Sequence, residues 1–342
     1  MTLFDLDHPI VLGPFGGMSS VALTAAVSEA GGLGSFGLYG YSPERIRETA
    51  AALRAATSRP FAVNLWMPAG DEVPADRVDL TEPLRTVAPL YERLGIPLPS
   101  GIPSAPDIHA QLDAVLEAAP AVASFVFGMP PRAWVDAAHD RGIRVVGAAT
   151  TVAEAAAVEA AGADAVVASG FEAGGHRVSF LQPAERSLIG LFSLVPQVVD
   201  AVSIPVIAAG GIADRRGVAA ALALGADAVQ VGTAFLRTRE SAASAAHRAA
   251  LDAATDDGTV LTRAATGRLA RGIRNTLIET VESGPIAPFP AQAWVIGALR
   301  TEANRVGEGD LQSLWSGQSA PLARLDTAAE VFAELAAGLP RA

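Results

Sequence analysis

The chain has 342 residues, of which 50% are hydrophobic and only 18% charged, a composition that buries a large core and excludes disorder over most of its length. Its net charge of −11 opposes the basic footprint that a nucleic-acid backbone requires, and no run approaches the roughly 18 consecutive apolar residues of a membrane span. Cysteine and lysine are both absent, which removes disulfides, thiolate nucleophiles, iron–sulfur clusters, cysteine zinc sites, Schiff-base chemistry and the lysine-bearing phosphate loop.

The N-terminus, MTLFDLDHP, has neither a basic n-region nor an apolar h-region, so a cytoplasmic protein is expected. From there to about residue 255, short apolar runs alternate with Ala-rich segments of helical character, the pattern of repeated βα units. In chain order the predicted strands are PIVLG from Pro9, LGSFG from Leu33, FAVNLW from Phe61, ASFVFG from Ala123, RVVGAAT from Arg144, DAVVASG from Asp164, PVIAAGG from Pro205 and DAVQVGT from Asp227. Most are near-continuous in Val, Ile and Ala, as strands covered on both faces are. Helices are expected over 21–30, 43–56, 151–160 and 217–224, several of them ending in glycine.

Eight parallel strands with intervening helices predict an α/β fold of the (β/α)8 TIM barrel type over residues 1–255. An open doubly wound sheet would carry a glycine fingerprint after its first strand, and GPFGGMSS is not GxGxxG. Two segments fall outside the repeat. Residues 68–106, rich in proline, are too long for an ordinary βα connection and are expected as a loop inserted after the third strand, lying over the barrel mouth. Residues 256–342, with TRAATGRLARGIRNTLIE, AQAWVIG and LWSGQS, are expected as an appended small domain or lid.

In such a barrel the chemistry sits at the C-terminal ends of the strands. After the seventh predicted strand comes AAGGIAD, with Gly210 and Gly211, and after the eighth comes VGTAF, with Gly232 and Thr233. Adjacent glycines expose backbone N–H groups to a phosphate, although glycines that merely turn the chain have the same appearance. Asn64 places a lone amide at the end of the apolar run FAVNLW, either bonded to neighbouring backbone or presented to the edge of a heterocycle. His176 follows the sixth strand in SGFEAGGHR, between Gly174–Gly175 and Arg177, with Glu172 nearby; Glu172 and Arg177 are expected to orient or polarise its ring. Histidine at a catalytic face suits proton abstraction from a carbon acid. His8, His109, His139 and His247 are expected to be structural, and with no HxH or HxxxH pair no metal site is expected.

Together SGFEAGGHR, AAGGIAD, QVGTAF and PIVLGPFGGMSS…SEAGGLG resemble the flavin-dependent nitronate monooxygenases, from about Pro9 to Arg237 and weakly to WSGQS at Trp315. The resemblance implies FMN as cofactor, no metal, and oxidation of alkyl nitronates, extending to nitroalkanes, with molecular oxygen. It matches His176 to the catalytic base, and Asn64, Gly174, Gly211 and Gln230, Val231, Gly232 and Thr233 to FMN contacts, with Gly175 and Gly210 beside them. Ser169 stands where the family usually has glutamine, and Pro14-Phe15 where it usually has Pro-Met in a loop one residue longer, so one flavin ring contact is expected to be shorter or lost and the exact substrate pocket does not carry over from the resemblance. Small-molecule partners follow, with neither nucleic acid nor membrane among them, and oligomeric state is left open. The alternative is an FMN-dependent reductase using NAD(P)H, acting on an enoyl-acyl carrier protein or a quinone; a non-catalytic flavin carrier is a third reading.

Overall fold

The computed structural model describes residues 3–101 and 106–340. Strands form at every predicted apolar run, and three short ones are added: one directly after the sixth barrel strand and two in the C-terminal segment from residue 256 on, which together with the helix after the third strand forms a cap. In chain order they are β1 (Ile10–Leu12), β2 (Gly34–Gly37), β3 (Phe61–Trp66), β4 (Val122–Val126), β5 (Arg144–Ala149), β6 (Ala165–Ser169), β7 (Gly175–His176), β8 (Val206–Ala209), β9 (Ala228–Val231), β10 (Thr259–Thr262) and β11 (Ala270–Ile273). Eight of them pair in parallel in the order β1-β9-β8-β6-β5-β4-β3-β2. A parallel bridge between Val11 and Leu33 joins the two ends of that order, with Leu12 N–H donating to Leu33 O and Leu33 N–H to Ile10 O, each at 2.9 Å. Closure leaves no free edge, and the structure is a (β/α)8 barrel.

Alternation along each strand divides the core into two layers. Val11, Ala62, Val146, Val167, Ile207 and Ala228 fill the barrel interior, while Ile10, Leu12, Val166, Val206, Val229 and Val231 pack outward against the helices. The helices begin where capping chemistry allows: Pro43–Ala56 after Ser42 with proline in its first turn, Val152–Ala160 after Thr151, and Arg215–Ala223 after Asp214.

The segment after β3 is not a loop. It carries an α-helix, Thr81–Leu94, that ends at Gly95 with φ 66°. Pro83 lies in its first turn, where no intrahelical N–H is lost, and Pro89 lies inside it. Residues 102–105 of the expected insertion lie outside the described residues. This helix shares an apolar cluster with Thr276–Glu282, Ala291–Val295 and Gly297–Val306, through Val87, Leu90, Tyr91, Leu277, Val295 and Leu299. The Tyr91 hydroxyl donates to Val295 O at 2.8 Å. The chain then returns to the barrel: on the last helix, Ala328–Ala336, the side chains of Val331, Phe332 and Leu335 enter the core cluster that holds Ile10 and Leu23.

Candidate active site

A cavity of about 380 Å³ lies where the C-terminal ends of the barrel strands meet the cap. Its walls combine inward-facing strand positions (Asn64, Trp66, Ser169 and Gln230), the chain after β6 (Gly174, Gly175 and His176), the loops bearing Gly210–Gly211 and Gly232–Thr233, and the cap residues Thr266, Arg300 and Trp315 to Gly317. Thus His176, Asn64, Ser169, Gly174, Gly175, Gly210, Gly211, Gln230, Gly232 and Thr233 all face one space. Val231 does not. It follows inward-facing Gln230 by one residue, so its side chain points out into the helical layer at 1% exposure. Only its carbonyl works near the site, accepting from Gly13 N–H at 2.8 Å.

His176 is held by backbone rather than by a charged neighbour. The chain after β6 runs as β7 alongside β11, pairing His176 with Ala270 and Gly175 with Arg271 in an antiparallel three-stranded sheet completed by β10. The imidazole is enclosed by Trp66 and Trp315, with ring centroids 4.7 and 5.2 Å away, and its Nε2 lies 2.8 Å from Thr266 Oγ1. Burial, reinforced by the positive charges of Arg268 and Arg300, pushes its pKa down to about 3. The ring is therefore neutral at physiological pH, with a lone pair available as a base.

Glu172 and Arg177 do not reach it. Glu172 accepts from Leu191 N–H at 2.8 Å, and the buried Arg177 donates to the carbonyls of Ser169, Thr150 and Ser187. Arg177 staples the turn that follows β6, and burial lowers its pKa only to about 10, so it stays charged. Successive residues of an extended segment project to opposite sides, which turns Arg177 away from the ring, and Glu172 lies in the turn before β7, so proximity in SGFEAGGHR did not bring these side chains to the ring.

Also on the cavity wall, Gly210 and Gly211 adopt φ 114° and 70°, a backbone that residues other than glycine rarely take. Among the described residues, the N–H groups of Gly211, Gly232 and Thr233 have no hydrogen-bond partner, so they stand ready for a ligand anion. The N-terminus of the following helix is already satisfied, because Asp214 accepts from Arg216 N–H and Gly217 N–H. Asn64 donates through Nδ2 to Ser124 O and Oγ at 3.1 and 3.0 Å, which leaves its Oδ1 as the atom without a protein partner.

A strap from Trp315 to Ser319 ties these parts together. Gly317 N–H donates to Thr233 Oγ1 at 2.9 Å, Gln318 N–H to Glu172 O at 3.0 Å, and Ser319 Oγ to Gly211 O at 2.6 Å. His247, buried outside the cavity, anchors the strap with Nε2 2.9 Å from Trp315 O. Thr266 and Arg300 escaped the sequence reading because they come from the cap, far along the chain from the βα repeat, and the strap was legible only as the motif WSGQS, without its bonds to Thr233 and Gly211. Trp66 was hidden inside a strand read only for Asn64.

The family model for nitronate monooxygenase matches residues 1–338 of the chain. A probable nitronate monooxygenase of Staphylococcus aureus (strain N315) is 37% identical over 340 residues, covering 97% of this chain and 94% of that protein. Among solved structures, a nitroalkane oxidase from Streptomyces ansochromogenes is 39% identical with a TM-score of 0.89, covering 97% of this chain and 96% of that one. FabK from Thermotoga maritima is 30% identical with a TM-score of 0.75, covering 97% and 92%.

Proposed function

Because the chain belongs to the nitronate monooxygenase family, we propose that it is an FMN-dependent enzyme that oxidises alkyl nitronates with molecular oxygen, and that His176 extends the reaction to neutral nitroalkanes by removing their α-proton. The observation that carries this reading is a neutral imidazole, caged by Trp66, Trp315 and Thr266, in the same cavity as the unpaired amides of the glycine loops.

The residues fit FMN. The positive-φ glycines leave room for close backbone approach, and the amides of Gly211, Gly232 and Thr233 supply donors to one phosphate. Asn64 Oδ1, Gln230 and Ser169 project from inward-facing strand positions as polar contacts for a ring edge. When bound, FMN supplies the electron acceptor and the link to oxygen. The protein supplies the rest. Trp66 and Trp315 exclude water around the reacting carbon, and Thr266 fixes the imidazole plane through Nε2. The proton taken from a nitroalkane passes to His176 as the nitronate anion forms beside it, and that negative charge stabilises the imidazolium that burial alone disfavours.

Two measurements follow. Purified protein is expected to be yellow and to release FMN rather than FAD on denaturation, because the two glycine loops offer one phosphate site; colourless protein that FMN does not reconstitute would contradict this. The pH dependence of kcat/KM for a neutral nitroalkane checks the state of His176. Because its pKa lies near 3, well below the ordinary value, the base form persists as pH falls, and no acid limb from His176 is expected between about pH 5 and 8. An acid limb near the ordinary histidine value, abolished in a His176 variant, would show a ring in contact with water.

A further inference from the structure

Two arginines send positive charge toward His176, and they differ in one respect. Arg268 is neutralised in place: its guanidinium pairs with Asp71 and Glu72 and stacks on Phe127 and Phe289, 4.3 and 3.8 Å from the ring centres. Arg300, on the cap helix Gly297–Val306, has no such compensation. Its guanidinium lines the cavity, makes one long contact from a terminal nitrogen to Ser313 Oγ at 3.4 Å, and keeps a buried Nε–H with no partner. Among the described residues it forms no ion pair with a carboxylate. Tyr39 is not a hidden counter-ion, since burial raises its pKa and keeps the phenol neutral.

An isolated buried cation is unfavourable, and it persists where a ligand completes it. The location selects the ligand. Tyr39 packs on Trp66 at 4.1 Å and Trp66 on His176 at 4.7 Å, so the wall that Arg300 shares with Tyr39 is the wall of the base, whereas the phosphate-binding amides sit on the glycine loops. A nitronate carries its negative charge on two coplanar oxygens, a shape that the guanidinium fork matches with paired N–H donors. We propose that Arg300 is the anion-recognition residue of the cavity, holding the two oxygens of the nitronate beside His176 and selecting the anion over the neutral nitroalkane. This rests on the nitronate reading above.

The test uses the holoenzyme, Arg300→Met and Arg300→Lys, with sodium nitrate as an inert planar oxyanion followed by calorimetry, and with steady-state kinetics on a nitronate and its parent nitroalkane. Loss of a charge-assisted contact is expected to weaken nitrate binding and raise KM for the nitronate by about ten- to a hundredfold in Arg300→Met. KM for the neutral nitroalkane should change far less, and Arg300→Lys should recover part of the loss. Unchanged nitrate affinity in Arg300→Met, or equal increases in KM for both substrates, would overturn the assignment. If Arg300→Met does not fold, Arg300→Gln replaces it under the same criteria. Wild-type enzyme that binds nitrate through Arg300 yet never turns over a nitronate would uphold the anion site and refute the proposed activity, so the two failures are distinguishable.

Discussion

His176→Asn is expected to keep the cofactor and the fold while turnover of neutral nitroalkanes falls by about 10² to 10⁴-fold, the contribution of a positioned general base. Asparagine retains a polar group that can meet Thr266 Oγ1, and β7 is held by backbone pairing to β11, so the local frame survives. A nitroalkane must lose its α-proton before it can give up an electron. A nitronate has already lost it. Turnover of the nitronate should therefore decline much less, by the loss of packing against Trp66 and Trp315 alone. Steady-state rates for the two forms of one substrate check this. Equal losses would assign His176 to substrate binding, and no loss of either would make it structural.

Gly174→Ala is expected to weaken FMN binding by roughly tenfold or more, through a methyl group that has nowhere to go. A Cβ at this position would lie 2.6 Å from Gly317 N and 2.6 Å from the Ser316 carbonyl carbon, both backbone atoms of the strap. Overpacking of this kind costs about 1 to 3 kcal/mol, and here it is relieved only by moving the strap outward. That motion breaks the Gly317 bond to Thr233 and the Ser319 bond to Gly211, which hold the two glycine loops, and withdraws Trp315 from His176. A fluorescence titration with FMN checks the affinity. As a control, alanine at Gly297, which is not among the cavity-lining residues, meets no heavy atom within 4 Å and should bind FMN like the wild type. Equal affinities for Gly174→Ala and wild type would show that the strap plays no part in holding the loops.

The barrel was legible because each βα unit repeats one local signal, an apolar run followed by a capped helix, and the expected helix 43–56 coincides with Pro43–Ala56. The glycine loops and His176 were legible because strand ends define the catalytic face before any tertiary contact is known. Register was not. Reading Gln230 to Thr233 as one contact run ignored the alternation that sends Gln230 inward and Val231 outward. Prolines concealed the helix Thr81–Leu94, whose amphipathic face matters only against cap helices some 200 residues further along the chain. Arg300 and Thr266 carried no local motif, and their meaning comes from packing that brings the cap onto the strand ends.

Anaerobic mixing of the purified protein with an alkyl nitronate, followed by visible absorbance of the flavin, tests the proposed reaction most directly. The account predicts prompt loss of flavin absorbance with the nitronate, recovery on admitting oxygen, and no comparable change with NADH or NADPH. A flavin that ignores the nitronate but is bleached rapidly by NADH or NADPH would contradict it and identify a reductase instead.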